Sequence, residues 1–291
     1  MPVESLMNLP LKDIVQDLRS LEPFPSVATR VLELASDEEV VPSELIEIIQ
    51  LDPGLTAKVL RLCNSALYGF QREISTLQEA GNLLGVRALV NLVLTSSANR
   101  YFRDYGQATG RSLDELWNTS ITHAVASRLL AKKVSAHTPG LDGERAYTAG
   151  LLQSIGCLVL DRYYEDTCGK VLALAREGHS VIEAEKFALG VHHAELGARL
   201  AARWDLPAVL TDTIRHHHAP ENATVDPVLT SIVHLSETMA AHRLRPGDPD
   251  ELSYEVSDAA LELTGLSLED FESIGIELRT EIGKCRELLA A

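Results

Sequence analysis

The sequence predicts an all-α protein built as two helical subdomains. Three observations lead there. Apolar residues recur at the 3.6-residue period of a helix along most of the chain, alternating β-branched runs are missing, and successive segments carry legible capping residues. A polar, glycine-containing stretch, YFRDYGQATGRSLDE, separates two helical halves. It places an N-terminal subdomain over 1–108 and a C-terminal subdomain over 109–291.

The elements follow in order. In QLDPGLTAKVLRLCNSALYG, Asp52 is placed to cap a helix whose first position is Pro53, where the missing N–H costs nothing. Leu55, Val59 and Leu62 share one face, and Gly69 follows the end. Asn64 and Ser65 read as side chains that satisfy backbone groups where this helix meets its neighbour. In ISTLQEAGNLLG, Ser75 and Gln78 have capping-box spacing and Gly85 stops the helix. VRALVNLVLTSS is apolar nearly all round, as a central helix must be. Beyond the linker the periodicity predicts helices over about 116–134, 146–160, 165–177, 193–203, 207–218 and 228–243, with two more after 251. HRLRPGDPDELS reads as a loop within the second subdomain.

Composition excludes several functional classes. With a formal net charge of −16 over 291 residues, and no basic run longer than Lys132-Lys133, the chain repels a phosphate backbone, which argues against nucleic acid as a partner. No stretch approaches the roughly 20 apolar residues of a membrane span, and MPVESLMNLP lacks a signal-peptide layout. Cys63, Cys157, Cys168 and Cys285 form no CxxC pair, which points to a reducing cytoplasm. Cys63 and Cys157 fall in apolar helical patterns and are expected to pack as small hydrophobes.

Two features carry chemistry. The run GLLQSIGCLVL at 150–160 holds Gln153 and Ser154 side by side in an apolar setting, where each unpartnered polar group costs about 1–3 kcal/mol. The ten histidines are also clustered: His192 and His193 open one helix, His216, His217 and His218 lie near the end of the next, and His123 sits upstream. Single ligands projecting from facing helices are how a helical metal site is made, and such ligands suit iron, manganese or zinc. Histidines at a helix C-terminus are also favoured by the macrodipole alone, so spacing leaves both readings open.

Taken together, LEPFPSVATRVLELASD, IIQLDPGLTAKVLRLCNSALYG, ISTLQEAGNLLGVRALVNLVL, LWNTS, AGLLQSIGCLVL, GVHHAELGARLAARWDLP and IRHHHAPE resemble the HDOD family, the HD-related output domain of bacterial signalling proteins. The resemblance implies an HD-phosphohydrolase-like C-terminal subdomain. It also implies that Gln153 and Ser154 stand where the HD and HD-GYP enzymes carry their adjacent His and Asp. Upstream, Trp117-Asn118-Thr119-Ser120 departs from the relatives' tryptophan, one residue, then His-Ser, and His123 lies one turn after Thr119 on the same side. By the same resemblance His193, His217, His218 and Glu237 are surviving ligand positions, and Gln153, Ser154, Thr119 and His123 line the old pocket.

An amide and a hydroxyl are poor substitutes for imidazole and carboxylate on a transition metal, and a two-metal centre needs its bridging carboxylate. The expectation is a non-enzyme. It would be a regulatory or interaction module with no required cofactor, whose remaining ligands hold at most one transition-metal ion. The resemblance implies signalling partners in trans, such as kinases or cyclic-dinucleotide enzymes. A ligand- or metal-binding sensor and a residual metal-dependent phosphohydrolase are the alternatives. Gly156, beside the replaced pair, reads as a site of close helix approach.

Overall fold

A computed structural model describes residues 24–35, 40–66, 68–105, 113–138, 140–157, 159–160, 171, 174, 179–244 and 256–285. The described residues contain helices and no strand. The N-terminal half comprises α1 (Ser26–Ala35), α2 (Pro42–Ile49), α3 (Pro53–Cys63), α4 (Leu77–Leu84) and α5 (Val86–Tyr105). The C-terminal half comprises α6 (Leu113–Val134), α7 (Gly143–Leu152), α8 (Val181–Leu189), α9 (His193–Arg203), α10 (Ala208–His216), α11 (Pro227–Leu244), α12 (Asp258–Thr264) and α13 (Leu268–Lys284), with a short 3₁₀ turn at Pro220–Asn222.

The helix ends obey local chemistry. The Asp52 carboxylate accepts from the Leu55 N–H at 2.9 Å and caps α3. Leu55, Val59 and Leu62 are buried on one face. At its far end Asn64 donates to the Leu60 and Ile74 carbonyls and accepts from the Ile74 N–H, which pins the following loop. The α4 cap lies one residue later than its spacing predicts. Thr76, not Ser75, accepts from the Glu79 N–H, and the Glu79 carboxylate reaches back to the Ser75 N–H. Gly85 then takes a positive φ of 82°.

α5 is the central helix, buried from Ala88 through Asn99. Three of its polar residues, Arg87, Asn91 and Thr95, face α7 and are satisfied there. Asn91 donates to the Glu144 carbonyl and carboxylate and accepts from Thr148, Thr95 meets Tyr147 at 3.2 Å, and Arg87 pairs with Asp142. Both halves meet again at an aromatic cluster in which Phe24 stacks on Trp204, 4.9 Å between centroids, and Tyr101 approaches Trp204 edge-on.

Two expectations need correction. The predicted helix over 146–160 is interrupted: α7 ends at Leu152 and the chain turns through Gln153–Gly156 before helical geometry resumes. Cys157, just past this turn, is only half-buried, unlike the buried Cys63. The expected helix over 165–177 lies almost wholly outside the described residues, as does Cys168, and most of HRLRPGDPDELS does too. In the gap before α9 stands α8, which periodicity missed although its capping box, Ser180 with Glu183, is present in the sequence.

Candidate functional site

The C-terminal half is assembled around close helix contacts. α6 and α7 form an antiparallel pair, and α11 packs against α6. At Gly150 on α7 an added Cβ would fall 2.7 Å from the His123 carbonyl, so α6 and α7 come this near only because no side chain intervenes. Gly156 is tighter still. Its Cβ would fall 1.9 Å from the His193 carbonyl and 2.6 Å from the Gly197 nitrogen. The turn that carries Gln153 and Ser154 is therefore pressed against the first two turns of α9, as Gly156 led one to expect.

Each clustered side chain has a fixed source. His192 is the N-cap of α9, its Nδ1 accepting from the Glu195 N–H at 3.3 Å, which turns His193 inward at the first helical position. α10 ends at His216, and the chain then leaves the helix so that His217 and His218 project to the same side. α11 supplies Glu237. It is a buried helix with many hydroxyls: Thr230 donates to the Asp226 carbonyl just before the helix, and Ser231 and Ser236 donate to the Pro227 and Val233 carbonyls within it.

One ligand atom from each of His193, His217, His218 and Glu237 lies within 4.8 Å of all the others. Supporting groups set which ring nitrogens face inward. His193 donates both its backbone N–H and its Nδ1–H to the Glu185 carboxylate, each at 2.8 Å. His217 donates its Nδ1–H to the Ile214 carbonyl at 2.7 Å, and its own carbonyl accepts from His234 Nδ1–H at 2.8 Å. The Nε2 atoms of His193 and His217 are thus both bare, and they face each other at 3.3 Å. His218 Nε2 lies 2.9 Å from His193 Nε2, and its Nδ1 lies 3.5 Å from Glu237. Glu237 is also 3.8 Å from His217 Nε2.

This donor set suits a cation. Four acceptor positions converge, and a neutral His218 brings one ring proton to share among them. An added positive charge, as a metal ion or a proton, relieves the remaining lone-pair contacts. Burial keeps the histidines in their neutral, metal-competent form, while it opposes ionisation of Glu237, which a bound cation would restore. The imidazoles of His217 and His218 titrate well below the usual histidine range, first because they are buried and then because of neighbouring histidines. Glu237 is pushed up to about 7, chiefly by burial, with Glu185 adding to the rise and His193 opposing it. The Glu185–His193 and Ile214–His217 bonds are of the kind that would orient these histidines toward a metal ion.

The other pocket residues are placed differently. Gln153 is fully buried, and its side-chain amide meets His123 Nδ1. Its Oε1 has no hydrogen-bond partner among the described residues. His123 is held to about 3 by burial and then by His193, so it is neutral and close to the cluster without belonging to the four-ligand group. Ser154 and Thr119 are half-buried, on the turn and on α6 respectively, and neither belongs to that group. Glu185 was missed from the sequence. Its signal was present: an acidic residue flanked by Ala184, Ala188 and Leu189 on the apolar side of VIEAEKFAL, now 1% exposed.

The HDOD domain family model matches residues 21–220. The chain belongs to the HDOD family. A candidate phosphohydrolase from Shewanella amazonensis is 26% identical, with a TM-score of 0.73 over 95% of this chain and 97% of that one. An HDOD domain protein of unknown function from Geobacter sulfurreducens superposes at TM-score 0.73, with 24% identity over 100% and 98% of the two chains. A curated protein of Treponema pallidum, uncharacterized, is 28% identical over 227 residues, 75% of this chain. The HDOD chain spans only 42% of that relative's length. Glu237 lies beyond the matched 21–220, so its membership of the cluster rests on geometry. No described helix is long and apolar enough to cross a membrane.

Proposed function

We propose that this HDOD protein is a non-catalytic regulatory module of bacterial signal transduction. It acts in the cytoplasm and in trans on signalling proteins such as kinases or cyclic-dinucleotide enzymes, with no nucleic acid or membrane as partner. One observation carries the reading. Gln153, whose amide is spent on His123, and Ser154, which by the family resemblance stand where the enzymes carry their His-Asp pair, offer no strong ligand, while His193, His217, His218 and Glu237 converge. Such a site retains ligands for one ion and lacks the bridging carboxylate that a two-metal hydrolytic centre requires.

His193, His217, His218 and Glu237 would hold that ion, and a bound transition metal would supply positive charge and Lewis acidity at the pocket. In this reading it fixes the relative positions of α9, α10 and α11, so the pocket stabilises the signalling surface. A second reading, a metal or ligand sensor, is favoured by the facing bare nitrogens of His193 and His217. In it the cation enters and leaves, and the helices respond to its differential affinity for two states.

The test pairs elemental analysis of the purified protein with a phosphodiesterase assay in added manganese or iron. The module reading expects at most one ion per chain and no turnover above the metal-alone control. Turnover that disappears in a His193→Ala variant would reinstate the phosphohydrolase alternative.

A further inference from the structure

We propose a second ligand site, outside the histidine cluster: a cleft between α3, α5 and α6 that binds a phosphate group. It is lined by Lys58, Arg61 and Leu62 of α3, by Thr95, Ser96 and Asn99 of α5, and by Trp117 of α6, and is a shallow cleft open to solvent at its mouth. Among the described residues no carboxylate lines it, although the chain carries 42 acidic against 26 basic residues.

The donors are arranged on two facing helix surfaces. Lys58 and Arg61 are three residues apart and therefore neighbours on one side of α3. Both are exposed, and neither forms an ion pair with any described residue. On α5, Ser96 and Asn99 are likewise one turn apart. Thr95 spends its hydroxyl on Tyr147, but the Ser96 hydroxyl, in a residue 4% exposed, has no hydrogen-bond partner among the described residues. An unpartnered buried hydroxyl costs about 1–3 kcal/mol, and because its oxygen is closed to solvent, an anion in the cleft satisfies it only once the Ser96 side chain turns toward the cleft.

Charge selects the anion. Two cations at the rim match a phosphate dianion better than a monovalent carboxylate, and an arginine fork with a hydroxyl beneath offers donors from different directions to a tetrahedral group. The net charge of −16 opposes anion approach, but acidic groups more than about 8–10 Å away are screened at physiological salt, whereas Lys58 and Arg61 act at contact. Trp117 is 4% exposed and presents no open ring face, so the cleft takes the phosphate itself and leaves the rest of any larger ligand outside.

The test titrates inorganic phosphate into full-length, chelator-treated protein at constant ionic strength, following the two tryptophan indole N–H signals by NMR. Saturable movement of the Trp117 signal is expected, with the Trp204 signal, locked between Phe24 and Tyr101, left in place. Acetate should be at least tenfold weaker. Lys58→Ala with Arg61→Ala, both on the surface, should keep the melting temperature and weaken phosphate at least tenfold, and Ser96→Ala should weaken it several-fold. His193→Ala with His217→Ala should bind phosphate like the parent, which separates this cleft from the histidine cluster. Absence of saturation, or unchanged binding by the Lys58/Arg61 double variant, overturns the proposal.

Discussion

His193 and His217 turn bare Nε2 atoms toward each other across 3.3 Å in a site closed to solvent. Neither ring can relieve the contact by exchanging tautomers, because Glu185 holds the proton of one on Nδ1 and the Ile214 carbonyl holds that of the other. The first prediction follows from this lock. His193→Ala and His217→Ala should each abolish retention of a transition metal in elemental analysis after gel filtration. His192→Ala and His216→Ala should retain it, because His192 caps α9 and His216 lies on the outer side beside Asp212. His192→Ala should instead cost about 1 kcal/mol through the lost cap, read in a thermal melt. Equal metal loss from all four variants would mean that the ligand register is wrong.

Glu185 gives a second prediction, distinct because it would not touch the metal. Its carboxylate fixes the backbone and the ring of His193 together. Glu185→Gln keeps the size but can no longer accept two N–H bonds as an anion, so metal affinity should fall roughly 10–100-fold. A competition titration against a chromophoric chelator measures this. An unchanged affinity would reduce Glu185 to a packing residue.

Acid should weaken the metal-free protein before it affects exposed carboxylates. Burial holds His123 at about 3 in the folded chain, against an unfolded value of about 6.5. A depressed folded value means that the unfolded chain binds the extra proton, so stability is complete above about pH 6.5 and falls as pH drops toward 3. His217 and His218 act in the same direction. Glu237, raised to about 7, acts oppositely and gains stability as pH falls, but it is one group against three. For His123 alone the loss between pH 6.5 and 5 is about 1.5 kcal/mol. Urea melts at the two pH values should show a net loss, and His123→Gln should shrink it.

What was legible in the sequence divides along physical lines. Caps and central helices could be read because their causes are local: Asp52 before Pro53, Gly85 after a periodic run, apolar residues all round α5. The cluster members were named from a family resemblance, and their convergence depends on contacts far apart in the chain. No periodicity shows that His193 and Glu237 meet. The break after Leu152 was hidden because GLLQSIGCLVL is apolar on either side of it, and a buried turn looks like a buried helix. Glu185 was hidden because its partner is eight residues away on another helix, and α8 was passed over with its capping box in view.

Gly156 offers a prediction that tests the packing behind the site. A methyl group there would overlap the His193 carbonyl, which is backbone and cannot swing aside. Gly156→Ala should therefore separate the Gln153–Gly156 turn from α9 and destabilise the fold by about 1–3 kcal/mol or more. Because His193 moves with its carbonyl, metal retention should fall in the same variant even where it remains folded. Gly283→Ala on α13, where an added Cβ meets nothing within 4 Å, is the control and should melt no lower than the parent.

The replaced pair supplies the last prediction. Gln153 is fully buried with its amide on His123, so a histidine at 153 would enter a space already shaped for a polar side chain of similar length. Ser154 is half-buried on the same turn, where an aspartate retains access to solvent while its charge is unpaired. Gln153→His with Ser154→Asp returns an imidazole and a carboxylate, both stronger transition-metal ligands than an amide and a hydroxyl. The double variant should bind manganese or iron more tightly, or bind a second equivalent, in an elemental and calorimetric comparison with the parent. The turn is held by the Gly156–His193 contact, which neither substitution touches, so the ligands should be presented without remodelling α9. A variant that melts like the parent yet binds no additional metal would show that Gln153 and Ser154 fill a pocket that has closed around them.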